Sequence, residues 1–208
     1  MGFAPAGIKL IIGGIIAAAG GGVLMGCCRW LGIPLLFLGI FLAGFSAYFF
    51  RDPERPKTFA AGEIACPADG TVLTVKNEGT PGITVVRIFL SIMSVHVQRS
   101  PMEGKVEGIK FTQGRFAIAY KPEAAENQRN LIRITGAGGR AVEVEQITGS
   151  IARRTACYVK EGQEVKAGER IGMIYFGSQV AVYLPESVKI LVKPRDKVAG
   201  AETVLGQW

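Results

Sequence analysis

A chain of 208 residues with a formal net charge of +7 is long enough for one ordinary domain plus an accessory segment. Its four cysteines have no paired spacing, which excludes a disulfide-stapled scaffold and agrees with a reducing compartment. The basic surplus alone leaves nucleic acid, an anionic membrane surface and an anionic substrate open as partners.

The N-terminal quarter decides for the membrane. Ile8 to Gly26 and Leu31 to Phe50 are two almost uncharged runs, each about the twenty residues that cross a bilayer. Between them Cys27-Cys28-Arg29-Trp30 suits a tight turn with Arg29 and Trp30 at the interface. Gly13, Gly14, Gly20, Gly21 and Gly22 would let the two helices approach closely. Leu24-Met25-Gly26-Cys27 also has the look of a lipoprotein cleavage site, but the thin basic start and the second run weigh against a removed signal. Arg51, Arg55 and Lys57 follow the second run, whereas the link carries one arginine. The positive-inside bias therefore predicts a hairpin over residues 1–50 and a domain over 51–208 on the cytoplasmic face of the cell membrane.

Arg51-Asp52-Pro53-Glu54-Arg55-Pro56 is a stiff, charged exit whose prolines stop the helix. After it come short β-rich runs punctuated by Gly, Pro and Asn. They are Thr71 to Lys76, Ile83 to Leu90, Val95 to Gln98, Gly104 to Phe111, Asn130 to Thr135, Ala141 to Ile147, Thr155 to Val159, Arg170 to Phe176 and Gln179 to Leu184. Helical periodicity is missing, so the expected fold is mainly β, a sandwich or barrel behind a two-helix hairpin. Thr135 to Arg140 reads as a hairpin turn, since a phosphate cradle would need a following helix. Lys160 to Glu169 has the strand, glycine turn and second strand that edge barrel-sandwich hybrids such as lipoyl and biotinyl carriers. It lacks their carrier lysine. The rival reading is thus a non-enzymatic membrane adaptor built on a barrel-sandwich-hybrid domain.

Three side chains offer chemistry. Gly177-Ser178 sits between two β-rich runs, and a strained backbone there would let the Ser178 hydroxyl attack the Gly177 carbonyl. Read alone, such a pair is most often a turn. His96 is the single histidine, either a structural strand residue or the base that serves Ser178. Asp69 is either a plain Asp-Gly turn residue or the group that holds the His96 ring, as in serine triads. One histidine without a surrounding His or Cys cluster argues against a zinc site and against a metallopeptidase of similar fold.

In order, the Pro67-to-Gly70 turn (Pro-x-Asp-Gly), Val95 to Pro101 (Val-His-x-x-x-Ser-Pro) and Phe176-Gly177-Ser178, behind a hydrophobic hairpin, resemble the phosphatidylserine decarboxylases. The likeness is to their short, archaeal-type branch and runs from about Arg51 to Val192. Gln146 to Arg154 and Val159 to Gly162 also look like that family's later strands. The cut reads Phe-Gly-Ser-Gln here, where the longer branch has Leu-Gly-Ser-Thr. The resemblance implies that Asp69, His96 and Ser178 form a self-processing triad. It implies cleavage between Gly177 and Ser178, giving a β chain that ends at Gly177 and an α chain, 178–208, headed by a pyruvoyl group made from Ser178. The substrate amine would form a Schiff base with that ketone, and neither added pyridoxal phosphate nor a metal is expected. The implied partners are a phosphatidylserine-type lipid, the bilayer, the two chains of one precursor and further copies of the protein, with no nucleic acid. Arg99, Arg153 and Arg154 are either ligands of the lipid phosphodiester or solvated surface charges.

Overall fold

The computed structural model describes residues 2–118, 124, 126–150, 154–175 and 178–208. The chain divides into two compact units, Met1–Glu54 and Arg55–Trp208.

The first unit is a helical hairpin. Helices α1 (Pro5–Leu24) and α2 (Arg29–Phe49) are both long and apolar enough to cross a bilayer. Their seam is built from small residues at intervals of seven: Gly7, Gly14 and Gly21 are buried on α1, and Gly32, Gly39 and Ser46 on α2. A Cβ added at Gly14 would lie 2.5 Å from the Ala43 nitrogen, so backbone meets backbone along this line. A Cβ added at Gly13, Gly20 or Gly22, expected at the seam, would meet nothing across the hairpin within 4 Å among the described residues. A helix turns ~100° per residue, so glycines adjacent in sequence cannot all face one partner.

The second unit is mainly β, as the punctuated runs predicted. An eight-stranded antiparallel sheet takes the strands in the order Glu164–Val165, Gly104–Thr112, Arg129–Thr135, Ala141–Ile147, Ser178–Pro185, Ile83–Leu90, Gly70–Lys76, Lys197–Val198. A three-stranded sheet of Thr155–Cys157, Arg170–Ile174 and Val97–Arg99 carries the histidine loop. Another joins Lys189–Ile190, Val204–Gln207 and Glu63–Ala65. Alternation along the strands assigns the faces of the large sheet. Val142 and Val144, Ile132 and Ile134, Val180 and Val182, and Val86 and Ile88 all enter one buried cluster. Glu145, Tyr183 and Arg87 lie on the opposite face of their strands. Thr135 to Arg140 is the hairpin turn between Arg129–Thr135 and Ala141–Ile147, with Gly138 and Gly139 at φ of 71° and 73°.

One row of the large sheet positions the site. Thr112 pairs with Arg129, Arg129 with Ile147, Ile147 with Gln179, Gln179 with Phe89 and Phe89 with Thr71. The chain segments beyond this row therefore gather at a single end of the sheet.

Candidate active site

Ser178 opens its strand at that end, paired with Leu90. Its side chain shares the core-facing parity of Val180 and Val182, and it is fully buried. The hydroxyl makes no hydrogen bond among the described residues. A buried, unpaired hydroxyl costs about 1–3 kcal/mol, so its retention calls for a reason other than packing. Residue 179 is pinned from the outer face, where Arg87 donates to Gln179 Oε1 at 3.2 Å. Arg87 itself grips Glu78, and that hydrogen bond holds the Glu78 carboxyl below its usual range. Nearby, burial, reinforced by the Glu145 carboxylate, pushes the Tyr183 phenol up. Phe176 and Gly177, the other half of the expected cut, lie outside the described residues.

His96 reaches the same end by a short path. The chain leaves Leu90, turns through Ser91 to Ser94, and enters the small sheet, where the Ile174 N–H donates to the His96 carbonyl at 3.2 Å. Segments 90–96 and 174–178 are thus joined at both ends, Leu90 to Ser178 and His96 to Ile174. The imidazole is fully buried, and its Nδ1 lies 2.9 Å from the Ser94 carbonyl. A carbonyl only accepts, so Nδ1 carries the proton, and in the neutral ring the lone pair is on Nε2. That tautomer is a base.

Asp69 occupies the far flank of Leu90. Its strand neighbour Gly70 leaves no room for a side chain, because a Cβ there would collide with the Phe89 carbonyl. The Asp69 carboxylate takes hydrogen bonds from Arg55 Nη2, at 3.0 and 3.3 Å, and from the Gly200 N–H at 2.7 Å. Arg55 thus offers the carboxylate a full opposite charge, while the Ser94 carbonyl meets Nδ1 of the His96 ring. In the same turn Cys66 is buried, which pushes its thiol up to about 12.

The three arginines separate. Arg99 is buried and donates to the Gly168 carbonyl at 3.1 Å, so it ties two loops together. Arg154 is exposed, and its carbonyl accepts the Tyr175 N–H at 3.1 Å, beside the segment leading to Ser178. Arg153 lies outside the described residues.

A connection absent from the sequence reading links the core to the histidine. Asn130 Nδ2 donates to Gln146 Oε1 at 2.9 Å, Gln146 Nε2 to Gln98 Oε1 at 2.8 Å, and Gln98 Nε2 to the His96 carbonyl at 2.7 Å. All three carboxamides are buried. Gln146 pairs with Val180, which makes it the diagonal same-face neighbour of Ser178. Gly172 gives it space, because a Cβ there would stand 2.5 Å from Gln146 Nε2. The available signal was Gln146 following Val142 and Val144 at intervals of two, a polar residue in a core position.

Size does not select this site. Among the described residues a cleft of about 790 Å³, lined by Ile83, Arg140, Tyr183 and Trp208, lies at the opposite end of the sheet. No group of three or more His, Cys, Asp or Glu suited to a metal ion occurs among the described residues.

The profile of the phosphatidylserine decarboxylase family matches residues 42–206. A phosphatidylserine decarboxylase proenzyme of Saccharopolyspora erythraea is 38% identical over 98% of this chain and 87% of its own. The Granulibacter bethesdensis proenzyme is 40% identical over 97% and 83%, and that of Gluconobacter oxydans 42% identical over 81% and 79%. Matched along nearly its whole length by such proenzymes, the chain belongs to the phosphatidylserine decarboxylase family.

Proposed function

We propose that this chain is the precursor of a self-cleaving decarboxylase that converts a phosphatidylserine-type lipid to its ethanolamine counterpart and carbon dioxide. The observation that carries the reading is the buried hydroxyl of Ser178, unpartnered among the described residues, at the head of a central strand whose Leu90 partner leads on to His96. In the first step Ser178 Oγ attacks the Gly177 carbonyl carbon, the peptide C–N bond breaks, and an ester forms in its place. Nε2 of His96 is the base that takes the hydroxyl proton. Loss of the Ser178 α-proton then expels the Gly177 carboxylate and leaves dehydroalanine, and water displaces ammonia from it to leave a ketone. The resulting pyruvoyl group supplies an electron sink for decarboxylation.

The remaining roles belong to the chain's own side chains. His96 returns a proton to the substrate carbon. Asp69 completes the self-processing set, held in place by Arg55 and Gly200. Arg154, with Arg153, binds the lipid phosphodiester, since guanidinium matches phosphate geometry. Buried Arg99 serves this only by ordering the loop that follows His96. The hairpin holds the unit on the bilayer, and Arg51, Arg55 and Lys57 favour its cytoplasmic face.

Intact-mass spectrometry of the purified protein tests the proposal. The expected result is two fragments divided between Gly177 and Ser178, the smaller with a blocked, keto-bearing N-terminus, and a single chain for Ser178→Ala. A wild-type protein that remains one chain with an unmodified Ser178 overturns it.

A further inference from the structure

We infer that the sheet end bearing Ser178 is itself a membrane-docking surface, which dips apolar side chains into an anionic bilayer independently of the helical hairpin. The inference rests on the lipid-decarboxylase reading for its purpose, but its evidence is the distribution of side chains. Among the described residues of Arg55–Trp208, six large hydrophobic side chains are exposed: Ile92, Met93, Phe111, Phe116, Ile118 and Leu191. Ile92, Met93, Phe116 and Ile118 lie on the loops beyond the Thr112–Arg129–Ile147–Gln179–Phe89–Thr71 row, and Phe111 stands one residue inside it at the strand end. Met93 is 61% exposed and Phe111 56%. Scattered surface hydrophobics need no explanation, whereas five gathered at one end of one sheet do.

Charge selects the occupant. Among the described residues at this end, Lys110, Arg115, Arg154 and Lys197 are exposed cations, and the exposed acids Glu126 and Glu202 are each ion-paired, to Arg115 at 3.3 Å and to Arg55. Apolar tips among cations are the composition that partitions into the headgroup boundary of an anionic bilayer. A protein partner would gain nothing from proximity to residues 175–178, whereas a lipid must reach them without leaving its leaflet. Docking of this end would bring the headgroup to Ser178 with its tails still in the membrane.

The test uses the full-length chain with Cys27→Ser, Cys28→Ser and Cys157→Ser, labelled at Met93→Cys with a nitrobenzoxadiazole dye. It is reconstituted into phosphatidylcholine/phosphatidylglycerol vesicles carrying a lipid spin-labelled high on the acyl chain. Thr80→Cys, in the exposed turn at the other end of the sheet, is the control. The inference expects a blue-shifted, strongly quenched signal at 93 and an unquenched one at 80. Equal quenching at both positions, or none at 93, overturns it. A blue shift at 93 without lipid quenching, together with dimers in detergent, also overturns it and assigns the patch to a second copy. In parallel, Ile92→Asp with Met93→Asp should raise the apparent KM for vesicle-embedded phosphatidylserine roughly tenfold or more while self-cleavage proceeds as in wild type. The quenching result does not depend on cleavage at Ser178, so failure of the decarboxylase reading and failure of docking give separate signatures.

Discussion

Replacing Gln146 with leucine tests whether the buried carboxamide chain holds the reactive end together. The substitution deletes the 2.9 Å bond from Asn130 and the 2.8 Å bond to Gln98, leaving a buried donor and a buried acceptor without partners. Each orphan costs about 1–3 kcal/mol, so the variant should lose about 2–6 kcal/mol. For a unit of this size that lowers Tm by roughly 5–20 °C. Scanning calorimetry of the full-length protein in detergent measures the loss. The functional readout is the rate of cleavage at Ser178, followed by mass well below the unfolding temperature. It should fall, because Gln98 then has no fixed partner while it bonds the His96 carbonyl. Gln146→Glu should cleave no better, since it sets a carboxylate oxygen against Gln98 Oε1. In Gln98→Leu/Gln146→Leu the losses should be less than additive, by about 0.5–3 kcal/mol, because the two residues share one bond. A Gln146→Leu protein with wild-type Tm and cleavage rate would refute the reasoning.

Three further outcomes follow from other contacts. Arg55→Leu strips Asp69 and Glu202 of their shared cation and should slow cleavage, with Arg55→Lys recovering part of the rate; equal rates in all three proteins would remove Arg55 from the site. Glu78 is held below its usual range by Arg87, so its contribution is present above the unfolded carboxyl pKa and is lost as pH falls through the lower folded value. Glu78→Gln should therefore unfold at a lower Tm than wild type near neutrality and converge with it in acid, and curves that stay parallel would show the pair to be inert. With its thiol at about 12, buried Cys66 should resist iodoacetamide at pH 8 while exposed Cys157 reacts, and alkylation of both at one rate would contradict the burial.

The strands were legible wherever burial imposed a period. Ile83–Leu90 and Ala141–Ile147 have the bounds that alternation predicts, because one face of each enters the core. Glu164–Val165, Lys189–Ile190 and Lys197–Val198 were not anticipated, since two residues carry no period. At the site, Ser178 and His96 stood out by chemistry and spacing, and the sheet brings their segments to one end. The partner of Asp69 could not be read: no local pattern relates Arg55 to a residue 14 positions on, and the Gly200 N–H arrives from 131 positions away. The burial of Arg99 was not legible, because sequence shows charge but not direction. Its strand is buried on every residue, and its guanidinium is enlisted by a backbone carbonyl.

The place of Ser178–Pro185 in the sheet determines what a nick at residue 177 does to the molecule. A tail severed there would begin as an interior strand laced on both sides, to Ile83–Leu90 and to Ala141–Ile147. Farther on, Lys197–Val198 is stitched to Gly70–Lys76, and Val204–Gln207 lies between Lys189–Ile190 and Glu63–Ala65. A break there would release no fragment, so the two polypeptides would behave as one body until the sheets are melted. The new terminus would in consequence be an anchored head, held in the sheet by the pairing of Ser178 with Leu90.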